Sequence, residues 1–349
     1  MTDLNQPTTE KTSYSRFFYI NPVGELSVVS SIHDAMRAVK AGGYMWLDYC
    51  DPTKEELQPL ITELNFHPLS IEDSLNADQL PKLDLFSSYS FMIFNVFEST
   101  AEELLAHELD LAIGNDFVVS ITRHDSQGRP LLQGIERLVE REAQKVKNGP
   151  SFMLHQLVDI VVDRKFQAID RIETKLDDDE DAILSGAPDF DLSRLMDSRR
   201  DLMTIRKSVF YEREVISKLI RQDSPFVAEK SLVFFRDVYD HLSRYYEIAE
   251  TARDQVTSLM EIHLSLISNR MAATSNRTNA IMRRLTIISS IFMPLTLISG
   301  VGGMSEFTMM VGQENWQKGY LILTILMVIV AVINLILLRR MERNLPGDE

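Results

Sequence analysis

Leu285 to Ser305 reads LTIISSIFMPLTLISGVGGMS, about 21 residues without a charge, the length a helix needs to cross the hydrocarbon core of a bilayer. Tyr320 to Leu338, YLILTILMVIVAVINLILL, is a second such run of about 19 residues. A soluble protein can bury one helix this apolar in its core. Two in tandem, split by a short polar loop, predict two membrane spans. Arg283 and Arg284 precede the first span, and Arg339, Arg340 and Arg343 follow the second. The intervening loop carries Lys318 as its only base, beside Glu306 and Glu314. Positive residues stay on the cytoplasmic side, so both termini are expected inside and the loop outside.

Two helices cannot enclose a polar path, because lipid offers no partners to polar groups. A pore would therefore need several copies around an axis. The first span has a face suited to that role: Asn279, Thr286, Ser289, Ser290, Thr296, Ser299 and Gly300 fall on neighbouring helical faces. The second has one strongly polar residue, Asn334, in an Ile/Leu/Val run. The first is expected to line the axis and the second to face lipid. The competing reading of the small polar residues is helix-to-helix packing.

Upstream, residues 1–150 mix strand-like and helical runs. Tyr44–Asp48, Ser90–Phe97, Leu109–Ile113 and Phe117–Thr122 are rich in aromatic and β-branched residues and predict strands. Pro52–Leu64 has helical spacing, with Asp51 and Thr53 as cap candidates. This is an α/β domain. From residue 151 to 284, Gly and Pro become scarce and apolar residues recur at helical spacing, predicting long stalk helices that lead into the first span. The expected order is thus an α/β domain (1–150), a helical stalk (151–284), a first span (285–305), an external loop (306–319), a second span (320–338) and a cytoplasmic tail (339–349). The acidic run Asp177–Asp181, followed by Gly186 and Pro188, reads as the solvated end of a helical hairpin. The competing reading is a cation-collecting patch.

The bulk numbers exclude more than they assign. A formal net charge of −15 argues against a nucleic-acid partner. The single cysteine, Cys50, excludes an internal disulfide and a zinc cage built from cysteines. The polar N-terminal stretch lacks the apolar core of a signal peptide. No metal-ligand spacing, phosphate loop or nucleophile–base set stands out, so an enzyme is not expected; His67 and His241 read as structural histidines.

Several motifs in order carry a family resemblance: MWLDYCD at 45–51, HPLSIED at 67–73 with Pro81 and Lys82, RDVYDH at 236–241, SNRTN at 275–279, IFMPLTLISGVGG at 291–303, and Trp316, Gly319 and Tyr320. The chain resembles the CorA metal-ion transporter family, whose first membrane helix carries a similar MPLT stretch ending in Gly-Met-Asn. The resemblance covers nearly all of the chain after the first forty or so residues. It implies a funnel-shaped homopentamer in the cell inner (plasma) membrane, spanning the bilayer with both termini cytoplasmic. No cofactor is implied; divalent cations, Mg2+ or Zn2+, are the transported and regulatory ligands. Carried over by position, Asn279, Met282, Leu285, Ser289, Met293, Thr296 and Gly300 face the axis, and their steps of three and four residues keep one helical face. Met282, Leu285 and Met293 would be apolar constrictions that gate by dewetting. Asp237 lies where the family holds a regulatory divalent cation between neighbouring cytoplasmic domains.

Two departures matter. Ser305 stands where the family has asparagine, so the selectivity filter reads Gly303, Met304, Ser305, with Glu306 next. Mg2+ dehydrates reluctantly, so a filter holds the hydrated ion through oxygen acceptors. Five serine hydroxyls would make a wider, weaker ring than five amide carbonyls. The second departure is the repetition of Ser268-Asn269-Arg270 as Ser275-Asn276-Arg277, which lengthens the stalk by about seven residues, close to two turns. Asn269 and Asn279 are then both candidates for a polar ring. The resemblance implies transport of Mg2+, with Co2+ or Ni2+; the alternatives are Zn2+ transport of the ZntB type and a non-conducting membrane sensor or scaffold. The pore and loop residues include no His or Cys, so Zn2+ would pass hydrated.

Overall fold

The computed structural model describes residues 13–76, 79–100, 103–142, 146–187, 190–304, 309, 312 and 315–343, with the side chains of 339 and 341–343 outside the description. The chain forms two compact units, Met1–Ile262 and His263–Glu349.

The first unit opens with β1 (Tyr14–Ile20), β2 (Leu26–Val29), α1 (Ile32–Val39), β3 (Tyr44–Cys50), α2 (Lys54–Leu64), α3 (Pro68–Leu75), β4 (Leu83–Leu85), β5 (Ser90–Ser99), β6 (Leu104–Ile113), β7 (Phe117–Thr122) and α4 (Ile135–Arg141). The seven strands form one sheet in the order β2-β1-β3-β7-β6-β5-β4. Its pairings are antiparallel except β3 with β7. The four expected strands are all present, three of them longer than expected at one end. Strand alternation decides what each face holds. Met45, Leu47, Tyr49, Val119 and Ile121 join Ile32, Leu57, Leu60 and Ile71 of α1 to α3 in one core. The other face carries Trp46, whose Nε1 donates to Ser120 Oγ (2.9 Å); Ser120 Oγ donates to Asp48 Oδ1 (2.7 Å). Arg16 completes this network by pairing with Asp48 at 2.7 Å. Helix α2 starts where expected: Thr53 is its N-cap and forms a capping box with Glu56. Asp51, the other cap candidate, bonds elsewhere.

Three long helices follow: α5 (Pro150–Leu184), α6 (Ser193–Ile220) and α7 (Leu232–Gly302). Helices α5 and α6 form the expected hairpin. The acidic run is the last part of α5, where buried Asp179 pairs with Arg194 at 2.6 Å, and Gly186 (φ +75°) supplies the left-handed step after the helix. Pro188 lies outside the described residues. A buried ion pair ties the hairpin to the sheet. Lys165 of α5 and Glu212 of α6 are 3.1 Å apart and fully buried. The backbone N–H of Asn95 on β5 donates to Glu212 (2.8 Å), and Lys165 donates to the Asn95 carbonyl.

Buried Asp110 on β6 gives the sheet a pH response. Burial, then the charge of neighbouring Glu108, hold its carboxyl well above the usual aspartate range, and the Ser74 hydroxyl opposes them only in part. Because the folded value is raised, its stabilising contribution is complete below the unfolded aspartate value and is lost as pH rises through the folded one. Asp110→Asn is therefore expected to raise the melting temperature at neutral pH and flatten its decline above acidic pH. Identical melting temperature against pH curves for the two proteins would contradict this.

Helix α7 is unbroken at Pro294, and the second unit also holds α8 (Trp316–Arg343). Both helices carry apolar windows long enough to cross a membrane, of mean hydropathy 1.8 and 3.2, and almost none of either window is buried within the protomer. Apolar surface on this scale requires lipid or other copies of the chain around it.

Candidate ion pathway

Along the membrane part of α7, side chains divide by helical angle. Ile287, Ser290, Ile291, Pro294, Leu295, Ile298 and Gly302 are at least partly covered, at steps of one, three and four residues that define one face. On α8 the partly covered positions are Leu323, Met327, Val330, Ala331, Asn334 and Leu338, again one face. These two faces meet. A Cβ added at Gly302 would lie 2.3 Å from Leu323 Cδ2, and the Tyr320 hydroxyl donates to the Gly302 carbonyl (3.2 Å). Glycine at 302 is thus explained by close approach of the neighbouring helix.

The seven residues expected at the axis all lie off this covered face. Asn279, Met282, Leu285, Ser289, Met293, Thr296 and Gly300 are exposed, Met293 to 74% and Met282 to 58%. At about 100° per residue their common direction is roughly opposite to the face that α8 covers. The Thr296 hydroxyl donates back to the Phe292 carbonyl (2.8 Å), which leaves its oxygen lone pairs as acceptors. A Cβ at Gly300 would meet open space, so nothing in the protomer itself calls for glycine there. Asn269 does not share the face: ten residues of helix turn it about 80° away from Asn279.

At the C-terminal end of α7, Gly303 N–H donates to the Ser299 carbonyl (2.9 Å) and Met304 N–H to that of Val301 (3.3 Å). Met304 is 58% exposed. Ser305 and Glu306, the remaining filter residues, lie outside the described residues.

In the first unit, Asp237 is exposed on α7. The structure surrounds it with acid that the linear sequence does not group. Burial, then the neighbouring charge of Asp159, raises the Asp163 carboxyl, while His241 lowers it. The Tyr245 phenol is raised by burial and then by Asp163, Asp159 and Asp237 together, with Arg244 opposing. Asp159 and Asp163 sit on α5 and Asp237 on α7, more than seventy residues apart, so their proximity is not visible as a spacing.

The relatives agree with this architecture. Residues 41–340 match the family described as "CorA-like Mg2+ transporter protein". The cobalt/magnesium transport protein CorA of Thermotoga maritima is 32% identical over 276 residues, 78% of this chain and 76% of that protein. Among solved structures, the complete CorA magnesium transporter of Methanocaldococcus jannaschii superposes with a TM-score of 0.67 at 22% identity, covering 93% of this chain and 97% of that one. Full-length CmaX gives 0.68 at 19% identity, covering 97% and 100%. At these identities the two structures speak to the fold alone, whereas the family match and the T. maritima relative reach further. A mixed α/β domain, a long helix that enters an apolar span and a second apolar span make one arrangement, and this chain belongs to the family of CorA-like Mg2+ transporter proteins.

Proposed function

We propose that the chain conducts divalent cations, Mg2+ foremost, through an axial pore built from several copies of α7. The observation that carries this reading is the uncovered face of α7, polar and methionine-bearing, set opposite the face that α8 occupies. A helix that met only lipid on that side would have no use for Ser289 and Thr296 there. Packed around an axis, preferably as a homopentamer in the cell inner membrane with both termini cytoplasmic, the same residues form successive rings. Asn279, Ser289 and Thr296 offer oxygen acceptors to a hydrated ion, and Gly300 lets the helices or their waters approach closely. Met282, Leu285 and Met293 make apolar rings that stop conduction when they dewet. Gly303, Met304, Ser305 and Glu306 form the external filter. In this reading residues 1–150 and 151–284 serve as the α/β domain and stalk, with spans at 285–305 and 320–338, an outer loop at 306–319 and an inner tail at 339–349.

Asp237, with Asp159 and Asp163, supplies an acidic surface for regulation. Facing a like surface on a neighbouring copy, these carboxylates repel, and a bound divalent cation would bridge them and hold the ring closed. Loss of the ion at low internal concentration would then bias the assembly toward the open state.

The serine at position 305 gives a direct test. Mg2+ and Zn2+ fluxes are compared in liposomes containing the wild-type chain or Ser305→Asn. Restoring the longer amide dipole is expected to raise Mg2+ flux relative to Zn2+ flux. An unchanged ratio would remove position 305 from ion choice, Zn2+ flux alone from both proteins would mark a zinc pathway, and no flux from either would leave a sensor or scaffold.

A further inference from the structure

The parallel pair β3 and β7 brings together three side chains that the ion pathway leaves unused. Cys50, the last residue of β3, is in register with Thr122, the last of β7. The pairing runs one residue further, where Asp51 N–H donates to the Thr122 carbonyl (2.8 Å). Asp51 then adopts φ +48°, a left-handed conformation that side-chain-bearing residues adopt rarely and that clusters at functional sites. This turn aims its carboxylate back across the strand ends. Oδ2 accepts from the His124 backbone N–H (3.1 Å) and contacts the His124 ring Nδ1. Cys50 is fully buried and His124 nearly so. One donor atom from each of Cys50, Asp51 and His124 lies within 4.8 Å of the other two.

We propose that Cys50, Asp51 and His124 bind one borderline transition-metal ion, Zn2+ or Co2+, and exclude Mg2+. A sulfur, an imidazole nitrogen and a carboxylate oxygen are the donors these ions take, and on a tetrahedral ion such donors stand roughly 3–4 Å apart. Asp51 Oδ2 and His124 Nδ1 lie closer together than this and the outer bound of the cluster is wider, so binding requires side-chain rotation that parts the first pair and draws the three donors around the ion, with water in the fourth position. Mg2+ requires near-octahedral oxygen coordination and gains nothing from a sulfur. Without an ion, burial pushes the Cys50 thiol up to about 12, so the sulfur is a neutral S–H. Binding forms the metal–sulfur bond and releases that proton to water. The thiolate and the Asp51 carboxylate then neutralise the two charges of the ion. The surroundings hold the triad without filling it. The Tyr14 ring lies edge-on to His124 (6.4 Å between centroids). Arg123 is 4.0 Å from Asp51, and its other nitrogen donates to the Leu75 carbonyl (3.0 Å). Its charge weakens metal binding without occupying the site. The consequence is a domain able to tell Co2+ or Zn2+ from Mg2+ by chemistry absent from the ion pathway.

Because Cys50 is the only cysteine in the chain, the wild-type spectrum can decide the proposal without a variant. The full-length protein in detergent is titrated with CoCl2 in the presence of excess Mg2+. The expected result is a near-ultraviolet thiolate-to-cobalt charge-transfer band, saturating at one Co2+ per chain, with the visible bands of a four-coordinate ion. Cys50→Ser should abolish the charge-transfer band, and His124→Gln or Asp51→Asn should weaken Co2+ affinity by about 10- to 100-fold. Absence of the band from the wild-type protein would overturn the proposal, as would a band that survives both His124→Gln and Asp51→Asn, which would reveal a lone thiol. The readout is independent of transport, so failure here and failure of the transport reading are separable.

Discussion

Replacing Glu212 with leucine is expected to destabilise the first unit by about 3–5 kcal/mol, the cost of leaving one member of a buried ion pair without its partner. Lys165 and Glu212 are both fully buried. Loss of the carboxylate would strand the Lys165 ammonium beside the Asn95 carbonyl and the Phe97 ring, 5.5 Å from its centroid. It would also remove the acceptor of the Asn95 N–H, and the Ser208 hydroxyl, which donates to Glu212 at 3.1 Å, would lose its partner. Urea denaturation followed by the fluorescence of buried Trp46 reads the change. Adding Lys165→Met to Glu212→Leu should recover part of the loss, because it removes the stranded charge and leaves three neutral groups without these partners: the Asn95 N–H, the Asn95 carbonyl and the Ser208 hydroxyl. A single variant within about 1 kcal/mol of wild type would instead show that the pair is solvated and not structural.

The second large effect concerns conduction. Met293→Trp is expected to reduce Mg2+ flux by roughly tenfold or more, since a ring of indoles at the axis narrows and dries the passage. Tryptophan is apolar enough to be tolerated against lipid, so the substitution separates two orientations of the same residue without preventing insertion. Ile329→Trp, on the uncovered side of α8, serves as the matched control and should conduct like wild type. Uptake of Mg2+ into liposomes, normalised to reconstituted protein, reads both. Equal flux through Met293→Trp and wild type would place position 293 away from the axis and remove the geometric basis of the pathway.

How much of this was legible in the sequence depended on whether the information was local. The two spans, the hairpin of α5 and α6, and the strands at 90 and 117 are written in runs and periods, and each stands where its pattern put it. The seven positions on α7 rest on the family resemblance; their steps of three and four agree with one direction on a straight helix, and that direction is uncovered in the protomer. The opposite placement of α8 was not legible, because it depends on Gly302 admitting Leu323. Strand β1 has a signal in Tyr14, Phe17, Phe18 and Tyr19 that is weakened by the polar residues before it. Strand β4, three residues long, is too short for a period of two to show. The least legible features were those made by pairing distant strands and helices. Asp51 looked like a helix cap, yet Thr53 took that role, and the freed carboxylate crosses to His124, 73 residues away. A single cysteine excludes a multi-cysteine cage, but it says nothing of a mixed site that exists only once β3 and β7 lie side by side. Asp159 and Asp163 reach the neighbourhood of Asp237 by the same kind of non-local packing.

If α7 lines a conducting path for divalent cations, flux must follow from the purified protein alone. The most direct measurement is Mg2+ uptake into liposomes containing the purified full-length protein, under an inside-negative potential and against protein-free liposomes. Uptake is expected to scale with protein content and to rise with the potential. Uptake no greater than in protein-free liposomes, from a folded oligomer across a range of potentials, would contradict it.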